Sequence, residues 1–454
     1  MRRLLLMGAA AVTLVGVGAA VAQTPRNEAF RMLGLFGDVL GIVEQAYVVP
    51  VDDKKLIEAA LQGMMTALDP HSNYLPPDGY GDLQERTSGA YSGVGLTIQS
   101  EAGLVKVISP MDGGPAARAG VNAGDVISSI DGQNAAGLTV SQVSEKLRGA
   151  VGTSIKVTFL RDGEEPKEVV LTREVIKIES VTGRVEGDFG YLRVSTFNEN
   201  TGRELGETIA RLKGENPAIK GYVLDLRNNG GGLLDAAIAV SDAFLERGEI
   251  VSQRGRKADQ IQRYAARPGD LSGGLPLVVL INYGSASASE IVAGALKDHQ
   301  RATIVGLTSF GKGSVQTVIP LRNGADGALS ITTARYYTPS GASIQKIGIE
   351  PDLEVSRSQA EARIVSRSNF IYSEAAYATA LDASIGAERK GPHTPREAPG
   401  EAWPEDKDYQ LERAFDVLRA GGVLTQLAAA PEGIVVTEPG TEVAAVAAED
   451  APGD

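Results

Sequence analysis

Between Gly190 and Asp352, short apolar segments with strand character alternate with longer segments in which apolar residues recur at helical spacing. The predicted strands are Tyr191–Val194, Gly221–Leu226, Leu277–Ile281 and Thr303–Val305, and the predicted helices are Thr201–Lys213, Leu233–Leu245 and Ser289–Asp298. Helices that connect successive strands cover the sheet that the strands form, so this alternation is typical of a layered α/β domain. A chain of 454 residues is too long for one compact core, and we therefore expect two or three domains.

The segments on either side of this α/β core, which we assign to residues 180–356, have a different character. Residues 27–88 show helical spacing of apolar residues, whereas residues 91–175 contain short alternating strands with Gly and Asp turns and one helix, Ser141–Leu147. Beyond the core we expect a helical region, a Pro-rich linker, a short helix and an acidic disordered tail, at residues 357–388, 389–408, 409–420 and 431–454. The predicted fold class is therefore multidomain α/β, with an inserted, mainly β domain and helical regions at both ends.

Residues 1–22 have the features of a secretory signal peptide. Two arginines precede an apolar run, Leu4–Val21, and Ala20-Val21-Ala22 matches an Ala-x-Ala cleavage site. A permanent anchor helix is the alternative, because the run approaches the length that spans a bilayer. Both interpretations predict export of the rest of the chain.

The charge and the absence of cysteine exclude several classes of function. A net charge of -13, without a long basic cluster, argues against nucleic-acid binding, which needs a basic surface for the phosphates. With no cysteine, the chain has neither disulfides nor a thiol nucleophile.

Three serines crowd the turn between the strand Leu277–Ile281 and the helix that follows it. Ser285, Ser287 and Ser289 alternate with alanines just before Glu290. A hydroxyl at such a turn is exposed at the sheet edge, close to the free N–H groups of a helix N-terminus, which suits nucleophilic catalysis. The alternative is helix capping, because Ser287 with Glu290 fits the S-x-x-E capping box and Ser289 fits a simple cap.

A serine nucleophile needs a base, and the chain offers either histidine or lysine. The three histidines are His71, His299 and His393, and no G-x-S-x-G elbow surrounds the serines, so a Ser-His-Asp enzyme has no support from motifs. Lys312 stands in a glycine-flanked turn, Gly311-Lys312-Gly313, followed by Gln316. A lysine desolvated in such a turn can act as a general base, which Gln316 could orient; an ordinary solvated loop is the alternative.

Two other enzyme classes match parts of the lysine segment. Gly306–Lys312 fits the first part of a phosphate-binding P-loop, but Gly313 stands where the Mg²⁺-binding Ser or Thr belongs. Ser309–Lys312 fits the S-x-x-K motif of penicillin-binding hydrolases, but in a turn broken by glycine instead of at the start of a helix. The first motif is therefore incomplete, and the second lacks the helical context that its class requires.

From about residue 30 to 420, the chain resembles the carboxy-terminal processing peptidases, a family of Ser-Lys proteases. The resemblance is carried by five segments: Ser285–Ile291, Thr308–Gln316, Asp225–Gly232, Asp69–Ser72 and Asp408–Leu411. It implies that Ser287 is the nucleophile, Lys312 the general base and Gln316 the orienting residue. We expect oxyanion donors from the N–H of Gly231 or Gly232 together with that of Ala288, although the glycines also fit a tight β-α turn. No metal or cofactor is implied.

The segment Tyr91–Thr172 resembles a PDZ domain. Gly93, Val94, Gly95 and Leu96 match its carboxylate-binding loop, and the runs Gly114–Gly120 and Gly124–Ile127 match the connection between two of its strands. Consecutive N–H groups in such a loop can hold a chain-terminal carboxylate while the peptide adds a strand to the sheet edge. An ordinary glycine-rich strand entry is the alternative for the loop.

Together these features predict a periplasmic serine endopeptidase that recognises protein substrates by their accessible C-terminal tails and forms an acyl-enzyme. The family resemblance further implies assembly into homo-oligomers and activation by substrate or by an envelope adaptor protein. A PDZ-based binding or chaperone protein with a decayed hydrolytic site is the alternative, which the intact set of Ser287, Lys312 and Gln316 disfavours.

Overall fold

The computed structural model describes residues 25–101, 103–161, 163–257, 259–367, 372–383, 389, 391–404 and 406–422. The predicted signal segment, residues 1–22, and the predicted acidic tail, residues 431–454, lie outside the described residues. Within the described ranges, no helix combines the length and the apolar character needed to cross a bilayer.

Helices and strands follow one another along the described chain as follows. The helices are α1 (Pro25–Ala46), α2 (Asp53–Thr66), α3 (Pro77–Ser88), α4 (Pro115–Arg118), α5 (Val140–Leu147), α6 (Thr201–Glu215), α7 (Leu234–Asp242), α8 (Ala288–Asp298), α9 (Gln359–Arg367) and α10 (Tyr409–Arg419). The strands are β1 (Asn73–Leu75), β2 (Ala90–Gly93), β3 (Leu96–Glu101), β4 (Leu104–Pro110), β5 (Val126–Ile130), β6 (Gln133–Asn134), β7 (Ser154–Leu160), β8 (Lys167–Thr172), β9 (Glu174–Lys177), β10 (Val181–Glu186), β11 (Phe189–Val194), β12 (Tyr222–Asp225), β13 (Glu249–Gly255), β14 (Ile261–Ala265), β15 (Leu277–Ile281), β16 (Thr303–Gly306), β17 (Ser314–Pro320), β18 (Ala328–Tyr337) and β19 (Leu353–Glu354).

The chain forms two compact units, one ending at Gly63 and the other beginning at Met64. The described part of the first unit consists of α1 and most of α2. Large apolar side chains of α1 are exposed, among them Phe30, Leu33 and Ile42 at 66%, 64% and 63%.

The second unit is built on a six-stranded sheet in the order β10-β11-β12-β15-β16-β19. Strand β10 is antiparallel to β11, and the other neighbours are parallel. Strand β15 is buried along its whole length, and its side chains alternate between two cores. Leu277 and Val279 pack with α6, α7 and α8 on one face, whereas Val278 and Leu280 pack with α10 on the other. This is the three-layer arrangement that the alternating sequence predicts, and the predicted strands and helices of the core are confirmed to within a few residues.

A second sheet brings remote segments together beside the central one. Strands β1, β18, β13 and β14 pair in that order, and β17 pairs with β18. The antiparallel β1–β18 pair sets Tyr74 opposite Leu329, so the Asp69–Ser72 segment just before β1 lies beside the β17–β18 hairpin.

A third sheet, β3-β4-β5-β7-β8, with β6 attached to β5, forms the mainly β segment that the sequence predicts. Its own core includes Val107, Ile127, Val157 and Phe159, together with Val143 of α5. Strand β3 lies at the edge of this sheet, and β2 pairs with β9 as a separate two-stranded ribbon.

Three of the predicted flanking regions differ from the structure. In the described part of the predicted helical region 357–388, helix is present only at α9 and in a 3₁₀ turn, Glu374–Ala376. Residues 372–383 otherwise form short local turns, and Glu374 N donates to Phe310 O of the core. The N-terminal region 27–88 contains the strand β1 as well as helices. The Pro-rich linker 389–408 is not free of the core, since Glu397 forms a bridge with Val355 and Ala398 is buried.

Candidate active site

An open cleft in the second unit collects residues from several remote parts of the chain. It is lined by Ser287, Lys312 and Gln316, by His71 from the segment before β1, by Leu83 of α3, and by Gly230 and Gly232 from the loop after β12. The sequence thus identified three of the polar residues that meet here, and the fold places His71, one of the three histidines that the sequence offered, in the same cleft.

Ser287 occupies a sharp turn between β15 and α8. Its backbone has φ 57° and ψ -112°, a left-handed conformation that a non-glycine residue adopts only under constraint from its surroundings. The turn projects the serine into the cleft at the N-terminus of α8. This is the strained strand-to-helix geometry of a nucleophile elbow, built here without the G-x-S-x-G motif.

The other two serines of the cluster are held inside the protein. The hydroxyl of Ser285 donates to Leu226 O at 2.8 Å, and that of Ser289 donates to Asn229 O at 2.8 Å. Both residues have no exposed surface. The three candidates that the sequence left open are therefore distinguished by the structure, since Ser287 lines the cleft and its two neighbours bind the β12 loop.

The glycine loop after β12 passes directly over Ser287. A Cβ atom on Gly231 would lie 2.9 Å from Ser287 Cβ and 3.1 Å from Ala288 N, at a φ of +101°, so this position requires glycine. The N–H of Gly231 donates to Asn229 Oδ1 at 2.9 Å and is already engaged. In contrast, no hydrogen bond within the described chain uses the N–H of Gly232 or of Ala288. Of the predicted oxyanion donors, these two are the available ones.

Lys312 lies in the loop between β16 and β17. Its flanking glycines allow this loop to approach the turn at residues 345–348, because a Cβ on Gly313 would lie 2.4 Å from Gln345 N. No hydrogen bond or ion pair of the described residues engages the Lys312 amine. Burial lowers the pKa of Lys312, against the opposing effect of the Glu374, Glu290 and Asp69 carboxylates. The lysine predicted as a general base is thus the half-buried, unpaired amine of the cleft.

Glu290 joins the serine turn to the lysine loop. Its Oε2 accepts hydrogen bonds from the backbone N–H of Ser287 at 2.8 Å and of Lys312 at 2.9 Å. Its Oε1 accepts from Ser309 Oγ and from Gly311 N, both at 2.6 Å. Burial raises the pKa of Glu290 to about 6, although these four donors favour the charged form. The Glu290 half of the predicted capping box is present, since its carboxylate accepts from Ser287 N. The same carboxylate also binds the lysine loop.

Gln316 lines the cleft, but it makes no hydrogen bond to Lys312 in the described chain. Its Nε2 donates to Ser314 Oγ at 2.9 Å and to Thr332 Oγ1 at 3.2 Å. The backbone N–H of Thr332 donates to Ser72 Oγ at 3.2 Å, and the Ser72 hydroxyl donates to Asp69 Oδ2 at 2.7 Å. Gln316 is therefore connected through Thr332 to the Asp69–Ser72 segment.

Each of the three histidines has a defined acceptor. His71 Nε2 lies 2.7 Å from Glu374 Oε2, His393 Nε2 lies 2.7 Å from Glu354 Oε1, and His299 Nε2 lies 2.7 Å from Glu249 O. Of these, His71 lines the cleft with Ser287. Its contact with Glu374 joins residues 303 positions apart, which explains why no local motif revealed it.

The structure does not support the two rival enzyme classes. A P-loop lysine precedes a helix, whereas Lys312 is followed by β17. The serine of the S-x-x-K match, Ser309, has no exposed surface and donates to Glu290. In the described residues, no group of three or more His, Asp and Glu side chains could hold a metal ion.

Two of the segments that carry the family resemblance, far apart in sequence, are joined by an ion pair. Asp225, at the end of β12, binds Arg227, whose Nη2 donates to Asp408 Oδ2 at 2.7 Å. Asp408 also caps α10 by accepting from Leu411 N at 3.1 Å. The C-terminal helix is thus fastened to the strand that leads to the glycine loop.

The third sheet carries a groove of its own beside the edge strand β3. Its lining includes the predicted loop, Gly93–Leu96, together with Ile98 of β3 and Leu147 of α5. In the described chain, no hydrogen bond uses the N–H of Val94 or Gly95, while Gly95 O accepts from Met111 N at 2.9 Å. The groove is therefore lined by an edge strand and by two residues whose N–H groups make no hydrogen bond within the described chain.

Three family models match the chain. Residues 188–355 match peptidase family S41, residues 106–161 match the PDZ domain, and residues 19–78 match the N-terminal domain of the activating protease CtpB. The third sheet is therefore a PDZ domain, and the α/β core is that of a serine-type peptidase.

Two curated relatives cover most of the chain. The carboxy-terminal-processing protease of Bartonella bacilliformis is 50% identical over 348 residues, which are 76% of this chain and 80% of the relative. The carboxyl-terminal-processing protease of Synechocystis sp. is 38% identical over 321 residues, which are 68% of this chain and 74% of the relative. Among solved structures, the photosystem II D1 C-terminal processing protease is 34% identical and covers 71% of this chain and 92% of its own, with a TM-score of 0.42. The chain belongs to the carboxy-terminal processing proteases of peptidase family S41.

Proposed function

We propose that the chain is an exported endopeptidase in which Ser287 is the nucleophile and Lys312 the general base. The observation that carries the proposal is the cleft itself, where the strained Ser287 turn and the loop that carries the unpaired, half-buried Lys312 amine both donate a backbone N–H to one buried carboxylate, Glu290. A serine hydroxyl needs a base, and an amine acts as one only when it is neutral, which burial of Lys312 favours.

In the proposed reaction, the Lys312 amine takes the hydroxyl proton of Ser287 as Oγ forms a bond to the scissile carbonyl carbon. The negative charge on the carbonyl oxygen is stabilised by the N–H groups of Gly232 and Ala288. The Lys312 ammonium returns the proton to the leaving amine, and the C–N bond breaks to give an acyl-enzyme. Water, deprotonated by the same amine, then releases a carboxylate and restores Ser287.

Substrate selection is proposed to begin at the PDZ groove. A peptide that extends the sheet at β3 would place its terminal carboxylate at the free N–H groups of Val94 and Gly95. The names of the relatives, which are carboxy-terminal-processing proteases, support the same interpretation. Substrates with accessible C-terminal tails are therefore the proposed class.

Export, assembly and activation are also part of the proposal. The Ala-x-Ala ending of the N-terminal apolar run supports a periplasmic location. The exposed apolar residues of α1 support association into a homo-oligomer, since apolar side chains gain free energy when they leave water. The match to an activating-protease N-terminal domain supports activation by substrate or by an envelope adaptor.

The experiment is cleavage of an unfolded protein that carries an apolar C-terminal tail. We expect the wild-type chain to cleave it and the variants Ser287→Ala and Lys312→Met to lose cleavage. Lys297→Met is the matched control, because this lysine pairs with Asp352 outside the cleft. His71→Gln tests the competing base in the same cleft. Retained cleavage in Lys312→Met combined with lost cleavage in His71→Gln would overturn the proposed base.

A further inference from the structure

A buried carboxylate, Glu374, lies beside the lysine loop and has no role in the proposed reaction. It stands in the 3₁₀ turn Glu374–Ala376, where the sequence predicts regular helix, and its surface is 1% exposed. The backbone N–H of Glu374 donates to Phe310 O at 3.0 Å. The turn is therefore attached to the loop two residues before Lys312.

The side chain of Glu374 is attached to the other end of the same loop through Gln345. Glu374 Oε1 accepts from Gln345 Nε2 at 2.9 Å, and Gln345 Oε1 accepts from Gly313 N at 3.0 Å. Gln345 is itself fully buried and also donates to Leu381 O at 3.1 Å. Glu374 thus binds on both sides of Lys312.

The second carboxylate oxygen of Glu374 is bound to His71. An ionised carboxylate only accepts hydrogen bonds, so the contact of 2.7 Å between Glu374 Oε2 and His71 Nε2 requires a donated imidazole N–H. No Arg or Lys of the described residues lies within ion-pair distance of Glu374. Its negative charge is therefore stabilised by hydrogen bonds but is not neutralised by a permanent cation.

Three carboxylates from different elements act on the charge of Lys312: Glu374 from the 3₁₀ turn, Glu290 from α8, and Asp69 from the segment before β1. His71 lines the same cleft as Lys312, and Asp382 of the 372–383 segment is paired with Lys346. Burial lowers the pKa of Lys312, and of the carboxylates that oppose this effect, Glu374 has the largest influence. A negative charge in a poorly solvated place attracts the proton of a nearby ammonium more strongly than one in water.

We propose that Glu374 is a positioning residue whose carboxylate, held by His71 and Gln345, sets the fraction of Lys312 present as the neutral, base-competent amine. The inference depends on the proposed role of Lys312. Replacing a residue that only supports the site would be expected to lower activity. Removing the Glu374 charge should instead make the Lys312 amine easier to deprotonate. At low pH, the Glu374 carboxylate therefore keeps a larger fraction of the Lys312 amine protonated and inactive as a base.

The first test is the pH dependence of kcat/KM for Glu374→Gln. The amide keeps an acceptor for Gln345 and can donate to the other tautomer of His71, so the packing is retained while the charge is removed. We expect the acid limb of the profile to move to lower pH by about one pH unit, which is a roughly tenfold higher rate on that limb and an unchanged plateau. Glu374→Ala removes the same charge without an amide and should move the limb in the same direction.

Glu354→Gln is the matched control, because Glu354 binds His393 over the same 2.7 Å but is not among the groups that act on Lys312. Its acid limb should stay at the wild-type position. An unmoved limb in folded Glu374→Gln, verified by its thermal melting curve, would contradict the link between the Glu374 charge and the catalytic base. So would an equal shift in Glu354→Gln.

The second test measures the Lys312 amine without catalysis. Competitive acetylation across a pH series, read by mass spectrometry in the Ser287→Ala background, reports the pKa of individual lysines. We expect Glu374→Gln to lower the pKa of the Lys312 amine. A lowered amine pKa with an unmoved acid limb would refute Lys312 as the base while the effect of Glu374 stands. An unchanged amine pKa would refute the effect of Glu374, and the base assignment would still be decided by Lys312→Met.

Discussion

The backbone N–H groups of Ser287 and Lys312 donate to the same carboxylate oxygen, Glu290 Oε2, at 2.8 and 2.9 Å. The two nitrogens therefore cannot be further apart than the sum of these two distances. A fully buried carboxylate that holds both turns fixes the separation between the proposed nucleophile and base more firmly than packing alone. The residue that the sequence predicts as part of a helix cap therefore also positions the two groups of the proposed reaction.

Replacing Glu290 by Gln should impair turnover strongly. An amide has one acceptor oxygen, so its NH₂ group would face either the pair of Ser287 and Lys312 N–H donors or the pair from Ser309 and Gly311. We expect a fall in kcat of about 10²-fold, with KM little changed, since a misplacement of about 1 Å has effects of this size. Steady-state kinetics on a tailed peptide measures both constants. Glu204→Gln, which removes a carboxylate that accepts from Ser180, is the control and should leave kcat intact.

The same carboxyl should make stability depend on pH. Burial raises the pKa of Glu290 from an ordinary 4.5 to about 6, so between these values the folded state binds the proton more tightly than the unfolded state. This tighter proton binding contributes about 2 kcal/mol to the free energy of unfolding. The contribution is fully present below pH 4.5 and is lost as the pH rises through 6. Urea unfolding of Ser287→Ala with and without Glu290→Gln checks this. The difference between the two free energies of unfolding should vary across that window, and a constant difference would contradict the assignment.

Gly231→Ala should abolish activity through sterics alone. The new methyl group would lie 2.8 Å from Ala286 O and 2.9 Å from Ser287 Cβ, and alanine does not tolerate the φ of +101°. Displacing the Ser287 turn from the oxyanion donors should cost at least about 10²-fold in kcat. Gly230→Ala is the neighbouring control, because its methyl group meets no atom within 4 Å, and it should keep most of its turnover. Similar losses in both variants would show that the loop as a whole, and not the contact with Ser287, is sensitive.

The PDZ groove should distinguish a free C-terminus from a blocked one. Two peptides that differ only in a terminal carboxylate or a terminal amide can be compared by fluorescence anisotropy on the full Ser287→Ala chain. The N–H groups of Val94 and Gly95 would interact with the carboxylate charge, so we expect the amide to bind at least about tenfold more weakly. Equal affinities would place substrate recognition elsewhere.

The layered core could be predicted from the sequence because its strands and helices differ in length and period. Buried β15 and its neighbours carry unbroken apolar runs, and α6 and α8 carry helical spacing. The described part of the segment 357–388 departs from the expected regular helix beyond α9, because residues 372–383 form short local turns and also bind the lysine loop and Gln345. Tertiary contacts of this kind leave no periodic signal.

Only part of the site could be predicted from the sequence. Family resemblance singled out Ser287, whereas the structure supplies the physical reason, namely that the hydroxyls of Ser285 and Ser289 are bound to carbonyl groups. The contacts of Glu374 with His71 and of Arg227 with Asp408 join residues 303 and 181 positions apart. Pairings at such separations are set by the topology of the sheets, which local motifs do not encode.

The Ser-Lys proposal is tested most directly by the rate at which an active-site serine reagent labels the protein. A fluorophosphonate and intact-mass measurement report one adduct per chain, which peptide mapping assigns to a residue. We expect one adduct on Ser287, formed faster as the pH rises because the Lys312 amine loses its proton, and at least about 10²-fold slower labelling in Lys312→Met. Labelling of Lys312→Met at the wild-type rate, or an adduct on another residue, would contradict the proposal.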